Sequence, residues 1–176
     1  LESKALLLSR LEAPVKRNTQ AVRIRCHGDF HLGQVLYTGR DFVIIDFEGE
    51  PARPLAERRA KHVPIVDVAG MIRSFHYAAS VALDRVGSRP DADERRSKME
   101  LRARQWYRSA TDAFLTGYAE TAGKSPFLPE KSEDRDMLLG AYLIEKACYE
   151  LSYELNNRPS WAGIPLSGLL QLAQPT

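Results

Sequence analysis

The sequence predicts a mainly helical protein that carries one small β-hairpin. From residue 67 onward apolar residues recur at helical spacing, whereas residues 21–46 contain three short runs rich in β-branched and aromatic residues. The chain has 176 residues, which is the size of one ordinary domain with a sizeable core. We therefore expect one helical body with a short β-element near its start.

The first third of the chain contains all the predicted strands. A helix is predicted over residues 1–13, because apolar residues keep helical spacing until Pro14. Three strands are predicted at residues 21–27, 34–38 and 42–46, and the last two form a hairpin around Gly39. Residues 47–66 contain three prolines among many charges and predict an extended loop.

Helices account for the rest of the chain. They are predicted at residues 67–87, 92–122, 132–155 and 166–172. Asp67 fits the N-cap of the first of these helices, and Gly123 fits the stop of the second. A polar linker that contains Pro90 separates the two.

Composition excludes several classes of protein. Hydrophobic residues make up 44% of the chain and charged residues 27%, as in folded globular proteins and unlike disordered or membrane-spanning chains. The net charge is only +2 with no sustained basic stripe, which disfavours binding to nucleic acid. Cys26 and Cys148 lie far apart without metal-ligand spacing, so we expect a reducing cytoplasmic setting. The longest early apolar run, residues 5–8, is too short to span a bilayer, so we expect no membrane association.

Two neighbouring segments contain the candidate catalytic and metal-binding residues. Residues 27–34 read HGDFHLGQ, and residues 44–49 read IIDFEG. In protein kinases a catalytic-loop Asp is followed five positions later by a metal-binding amide, and the next hairpin ends at Asp-Phe-Gly. Here Gln34 follows Asp29 by five positions, and Asp46 opens Asp-Phe-Glu-Gly. Each motif alone is weak, but the pair in this order predicts a kinase-like phosphotransferase site.

The chemistry of phosphoryl transfer assigns a role to each of these residues. Asp29 is the predicted catalytic base that accepts the proton of an acceptor hydroxyl, and ATP is the predicted donor. Asp46 and the amide oxygen of Gln34 are the predicted Mg²⁺ ligands, since Mg²⁺ is held by few protein oxygens. His27 joins Asp29 in the catalytic loop, where bracing the loop is favoured over a direct catalytic role.

Structural interpretations stand beside these functional ones. Asp29 fits a loop residue that bonds its own backbone, and Asp46 fits a turn former. His31 fits either a phosphate or substrate contact or a loop-filling side chain. Glu48 fits a metal or sugar contact as well as a solvent-exposed carboxylate.

Beyond these motifs the sequence resembles the bacterial maltokinases, including those fused to trehalose synthase. The resemblance is carried by residues 26–34, 46–55, 67–77 and 145–161, and the run FEGEPARP at residues 47–54 is its most specific part. It implies a two-lobed fold of the aminoglycoside-phosphotransferase and protein-kinase type. It also implies transfer of the ATP γ-phosphate to maltose, giving maltose 1-phosphate in trehalose and glycogen metabolism.

The resemblance also implies a sugar site on the third long helix. Its predicted substrate-binding residues are Lys146, Tyr149, Glu150 and Tyr153. Helical spacing places these four on one side, where polar groups suit sugar hydroxyls and tyrosine rings suit the apolar faces of sugars. A solvated charged face with two tyrosines over the core is the alternative.

The predicted domain organisation is a single C-terminal kinase-like lobe over residues 1–176. Residues 20–50 form its catalytic loop and metal hairpin, and residues 67–174 form its helical subdomain. No glycine-rich loop or strand lysine precedes Asp29, and the chain starts at Leu1. We therefore expect a piece of a longer chain that lacks the N-terminal nucleotide lobe and is inactive alone.

Two other functions fit the same sequence. One is a phosphotransferase that acts on an aminoglycoside, choline or another sugar, because the catalytic loop is common to all of these. The other is a non-catalytic module that binds sugar or docks onto a trehalose synthase partner.

Overall fold

A computed structural model describes residues 2–19, 21–87, 92–123 and 125–174, and omits the side chains of residues 86–87 and 92–95. The described residues form six helices and one antiparallel sheet, which confirms the mainly helical prediction with one hairpin. The elements are α1 Glu2–Lys16, β1 Val35–Tyr37, β2 Phe42–Ile44, α2 Leu55–Arg59, α3 Ile65–Gly87, α4 Ala92–Ala122, α5 Ser132–Asn157 and α6 Gly163–Leu172. None of these helices, within the described ranges, is both long and apolar enough to cross a membrane.

The chain divides into two compact units. The first comprises residues 1–73 and 124–176, and the second comprises residues 74–123. The boundary falls inside α3, between Arg73 and Ser74. The hairpin, the predicted catalytic loop at residues 27–34 and α5 all belong to the first unit.

The predicted hairpin is present but shorter than expected. Val35 pairs with Ile44 and Tyr37 with Phe42, so each strand has only three residues. Gly39 turns the chain with a φ of 91°, a value that glycine adopts without steric cost. The apolar side chains of both strands stay largely exposed, and this hairpin is therefore not part of the core.

The strand predicted at residues 21–27 is wrong. Only Ile24 pairs, through an isolated bridge in which it exchanges hydrogen bonds of 2.9 and 3.0 Å with His62. At the end of the segment the backbone amide of His27 donates to the Asp67 carboxylate instead of to a neighbouring strand. A side chain thus replaces the ladder partner that a strand would need.

The extended loop predicted at residues 47–66 is interrupted by two helical segments. Helix α2 begins after Pro54, with Glu57 in its first turn and Arg58 and Arg59 in its last, charges that complement the helix dipole. Helix α3 then begins at Ile65, two residues earlier than predicted. Asp67 consequently lies inside the first turn of α3 and is not its N-cap.

Helix α1 continues past Pro14, which was predicted to end it. Pro14 lies in the last turn, where its missing N–H removes only one hydrogen bond. The helix ends where Asn18 adopts a φ of 51° and donates to Val15, while Thr19 donates to the Pro14 carbonyl. This left-handed stop satisfies the last carbonyls of the helix.

The later helices match their predicted positions closely. Helix α4 ends before Gly123, which has a φ of 53°, and α5 ends two residues later than predicted. Helix α6 begins at Gly163, three residues earlier than predicted, after one 3₁₀ turn at Pro159–Trp161. The predicted linker around Pro90 lies outside the described residues.

The core of the first unit is built on α5. Ile144 and Ala147 are buried against Leu169 of α6, with Leu7 and Leu11 of α1 packed around them. In the second unit the end of α3 pairs with α4 through aromatic edge contacts, such as those of Phe75 with Trp106 and Phe114. Because this face of α5 is buried in the core, a different face of the helix is positioned to line the site described next.

Candidate active site

The predicted catalytic loop is held on the first turn of α3. The Asp67 carboxylate accepts hydrogen bonds from the backbone amides of His27, at 2.7 Å, and Gly28, at 2.9 Å. Gly70, one turn later, lets the loop approach closely, because a methyl group there would lie 2.6 Å from the Phe30 carbonyl oxygen. The loop therefore has a defined backbone position against a rigid helix.

The His27 side chain links the catalytic loop to the segment after the hairpin. Its imidazole is buried, with Nε2 2.8 Å from the Ile45 carbonyl and Nδ1 accepting from the Asp29 amide at 3.3 Å. The ring also lies 4.9 Å from the ring of Phe47. Both ring nitrogens are thus engaged by backbone groups, in the geometry of a bracing residue.

Asp29 lies at the cleft with two basic side chains beside it. One of its carboxylate oxygens is 3.5 Å from Lys146 Nζ, and the other is 3.8 Å from His31 Nε2. His31 is itself oriented by the Gly33 amide, which donates to His31 Nδ1 at 3.0 Å. The structure therefore brings together three of the residues that the sequence predicted for the site.

The two predicted metal ligands also meet. Gln34 Nε2 lies 2.9 Å from Asp46 Oδ2, and Asp46 has a φ of 62°, a strained value for a non-glycine residue. Among the described residues there is no group of three or more His, Cys, Asp or Glu that could hold a metal. One carboxylate beside one amide fits Mg²⁺, which is usually held by one or two protein oxygens together with substrate phosphates. Glu48, two residues further on, is exposed.

Sequence reasoning missed Glu50 as a site residue. Its carboxylate is buried and bonds Lys146 Nζ at 2.9 Å and Arg53 Nε at 3.0 Å. Lys146 Nζ also lies 5.1 Å from the centre of the Tyr149 ring. Burial, followed by the charge of Glu50 and a hydrogen bond to it, raises the pKa of Tyr149 to about 12. The sequence did contain a signal for this role, because Glu50 is a second glutamate after Glu48 and stands three residues before Arg53.

The other two residues of the predicted sugar face point to different partners. Glu150 is paired with the buried Arg73 of α3, whose Nη2 lies 2.7 Å from it. Burial raises the pKa of Glu150, and the charge of Arg73 opposes that rise. Tyr153 lies 5.7 Å from the guanidinium of Arg158, which also stacks on Trp161 at 4.6 Å. Lys146 and Tyr149 are therefore the members of this face that join the Asp29 cluster.

A small cavity of about 70 Å³ opens beside Asp29. Its charged lining consists of the carboxylates Asp29, Glu50, Glu57, Asp67 and Glu145 and the cations Arg53, Arg58 and Lys146. Carboxylates therefore outnumber cations by five to three. Two of these carboxylates are already hydrogen-bonded within the chain, Asp67 to backbone amides and Glu50 to Lys146 and Arg53, so the lining has a small excess of negative charge.

No family model matches the sequence. Two curated relatives are both named glucosamine kinase. The one from Streptacidiphilus jiangxiensis is 30% identical over 149 residues, which cover 85% of this chain and 31% of the relative. The one from Mycolicibacterium smegmatis (strain ATCC 700084 / mc(2)155) is 34% identical over 145 residues, or 81% of this chain and 33% of the relative. The chain thus spans about a third of the length of these relatives.

Solved structures show the same likeness. A glucosamine kinase in complex with glucosamine, ADP and inorganic phosphate superposes with a TM-score of 0.68 at 26% identity, covering 97% of this chain and 44% of that chain. Another glucosamine kinase structure, crystal form B, has a TM-score of 0.67 at 26% identity, covering 97% of this chain and 43% of that chain. The fold is therefore the kinase-like fold found in these enzymes.

These relatives overturn the resemblance to maltokinases. Curated relatives and structural neighbours alike are named glucosamine kinase, so the expected maltose substrate, trehalose synthase partner and role in glycogen metabolism find no support. The physical reason is that the quoted motifs contain the predicted base, the predicted metal ligands and the loop that supports them. Those parts serve phosphoryl transfer to any hydroxyl and do not distinguish one acceptor sugar from another. The chain has the fold of glucosamine kinases and matches about a third of the length of the two curated ones.

Proposed function

We propose that this chain is the catalytic C-terminal lobe of an ATP-dependent sugar kinase whose acceptor is glucosamine or a similar amino sugar. The observation that carries the proposal is the placement of Asp29. It lines a cleft on a loop anchored by Asp67 and His27, and His27 in turn contacts the carbonyl of Ile45, the residue directly before Asp46. The similarity to glucosamine kinases supports the same assignment.

In the proposed reaction Asp29 is the general base. Its carboxylate accepts the proton of the acceptor hydroxyl as that oxygen forms a bond to the γ-phosphorus of ATP. The bond between the γ-phosphorus and the bridging oxygen breaks, and ADP leaves with the electron pair. His27 acts as a positioning residue, because its Nδ1 accepts the backbone N–H of Asp29 and so fixes the direction of the carboxylate.

Gln34 and Asp46 are the residues that would hold Mg²⁺. When bound, the ion would neutralise charge on the ATP phosphates. Gln34 Nε2 donates to Asp46 Oδ2 at 2.9 Å, which holds the two side chains next to one another.

The charge of the cavity lining and the similarity to glucosamine kinases both support the proposed acceptor class. Five carboxylates and three cations line the cavity beside Asp29, an environment that favours a protonated amino sugar over a neutral disaccharide. In this proposal Tyr149 and His31, whose Nε2 lies 3.8 Å from Asp29 Oδ2, contact the sugar, whereas the exposed Glu48 has no assigned contact. Glu150 and Tyr153 are not part of this sugar contact, because Glu150 is paired with Arg73 and Tyr153 lies against Arg158.

The nucleotide requires a second, β-rich portion of the enzyme. The chain spans about a third of its curated relatives, and the apolar side chains of its hairpin are exposed. Tyr37 and Phe42 are each 66% exposed, although they pair with one another across the two strands. An isolated two-stranded hairpin is marginal in water, so we propose that the nucleotide-binding portion covers this surface.

The test is a turnover assay on the chain and on a fusion. The fusion joins the chain to the part of the Streptacidiphilus glucosamine kinase that it does not match. We expect the fusion to phosphorylate glucosamine with ATP, and Asp29→Asn to lower kcat by a factor of about 10²–10⁴, the usual contribution of a general base. Asp136→Asn, an exposed carboxylate on α5, is the matched control and leaves kcat unchanged.

The outcomes separate the parts of the proposal. Normal turnover by Asp29→Asn would overturn the assignment of the base. Faster phosphorylation of a neutral sugar than of glucosamine would overturn the proposed acceptor. Full activity of the chain without the fused portion would overturn the need for a second lobe.

A further inference from the structure

The catalytic loop contains no strong cation of its own. Residues 27–34 include neither Lys nor Arg. Phosphoryl transfer places negative charge on the oxygens of the moving group, and enzymes stabilise this charge with a cation aimed at that point. Among the residues that the structure describes, Lys146 of α5 brings such a cation to Asp29 from a different element, with its Nζ 3.5 Å from Asp29 Oδ1.

The buried carboxylate of Glu50 holds Lys146 in that position. Its Nζ donates to Glu50 Oε1 at 2.9 Å, and Glu50 is only 6% exposed and is itself bonded by Arg53 at 3.0 Å. A lysine ammonium has three donors. One is directed to Glu50, and the same Nζ lies 3.5 Å from Asp29, so a group that binds against Asp29 also comes within reach of the ammonium.

Electrostatics decide which group the ammonium meets. An acceptor hydroxyl that gives its proton to Asp29 lies about 3 Å from that carboxylate and therefore within reach of Lys146. An amino sugar does not place its ammonium against Lys146, because the two like charges repel. The transferred phosphoryl group, which is strongly anionic, is attracted to the same position.

We propose that Lys146 is a catalytic residue that donates a hydrogen bond to the phosphoryl group during its transfer, and that Glu50 is its positioning residue. The inference rests on the proposed kinase function. Lys146 keeps its proton throughout, because the proton of the acceptor goes to Asp29 and the leaving ADP takes the electron pair. The role differs from the contact with sugar hydroxyls that the sequence pattern suggested for Lys146.

Steady-state kinetics of the active fusion protein test this role. Lys146→Gln is expected to lower kcat about 10–100-fold, the effect of one charge-assisted hydrogen bond, while KM for glucosamine changes less than twofold. Lys146→Arg is expected to recover part of the loss because it restores the charge. Lys4→Gln, on the exposed side of α1, is the matched control and leaves both constants unchanged.

A double variant tests whether Glu50 acts through Lys146. Glu50→Gln alone is expected to lower kcat without raising KM, and the double variant is expected to be no slower than Lys146→Gln alone. Additive losses in the double variant would show that Glu50 acts independently and would overturn its positioning role. Circular dichroism melting of each variant verifies that it is folded.

The remaining outcomes distinguish this inference from the proposed function. If the unsubstituted fusion turns over glucosamine but Lys146→Gln keeps its kcat, the role of Lys146 is refuted and the kinase function stands. If Lys146→Gln raises KM at constant kcat, Lys146 contacts the sugar instead. If the unsubstituted fusion shows no ATP-dependent transfer to any sugar, the proposed function fails, and the inference fails with it.

Discussion

Replacing Asp67 by Asn tests the anchor of the catalytic loop. The Asp67 carboxylate accepts two backbone hydrogen bonds, from His27 at 2.7 Å and Gly28 at 2.9 Å. Asn keeps one acceptor oxygen but turns its NH₂ group toward the other backbone N–H. The substitution therefore removes one hydrogen bond to a charged group and leaves a partly buried donor unpaired, at a cost of about 1.5–3 kcal/mol.

Two assays check this estimate. For a chain of this size about 1 kcal/mol shifts the melting temperature by roughly 2–4 °C, so Asp67→Asn is expected to lower it by about 3–12 °C. Asp136→Asn, with an exposed carboxylate, serves as the control for the change of charge. Hydrogen exchange measured by NMR then locates the effect, because one of the two amides, that of His27 or that of Gly28, loses its acceptor and exchanges faster. Unchanged exchange at these two amides in Asp67→Asn would refute the reasoning.

Two further predictions concern the surroundings of the loop. Gly70→Ala is expected to destabilise the protein by about 1–3 kcal/mol, because its methyl group would lie 2.6 Å from the Phe30 carbonyl, whereas Gly140→Ala, with open space around it, is expected to stabilise by about 0.5–1 kcal/mol. Thermal unfolding measures both, and equal effects would contradict the close approach. Burial and the nearby Asp67 charge raise the pKa of the Cys26 thiol to about 11 from 9, so in Cys148→Ala its alkylation rate is expected to climb with pH until about 11. A plateau at pH 9, as expected for the unfolded chain, would show that the thiol is not buried in this way.

Elements with a strong local signal were predictable from the sequence. The helical spacing of apolar residues predicted α4 and α5 almost to the residue, and Gly39 between two β-rich runs predicted the hairpin. The strand at residues 21–27 failed because a strand exists only where a neighbour supplies a ladder. Here His62 supplies one bridge to Ile24, and the Asp67 carboxylate takes the next amides.

In the candidate site, too, the residues with a local sequence signal were predictable, whereas contacts between distant segments were not. Kinase-like spacing singled out Asp29, Gln34 and Asp46, and the structure places the last two 2.9 Å apart. Glu50 was not predicted as a site residue, because its importance depends on Lys146, 96 residues away in sequence, reaching it at 2.9 Å. Helical spacing correctly put Lys146 and Glu150 on neighbouring positions, but it could not show that Glu150 pairs with Arg73 of another helix.

By itself the sequence determined the helical fold class, the hairpin and the order of the phosphotransfer motifs, because these depend on residue types at short spacing. It did not determine the acceptor, since residues that move a phosphoryl group are shared by enzymes that act on different sugars. Tertiary structure alone decided which charges meet at Asp29, because Lys146, Glu50 and Asp67 come from separate segments. Long-range packing of α3 and α5 around the loop brings them together, and no local pattern in the chain encodes those distances.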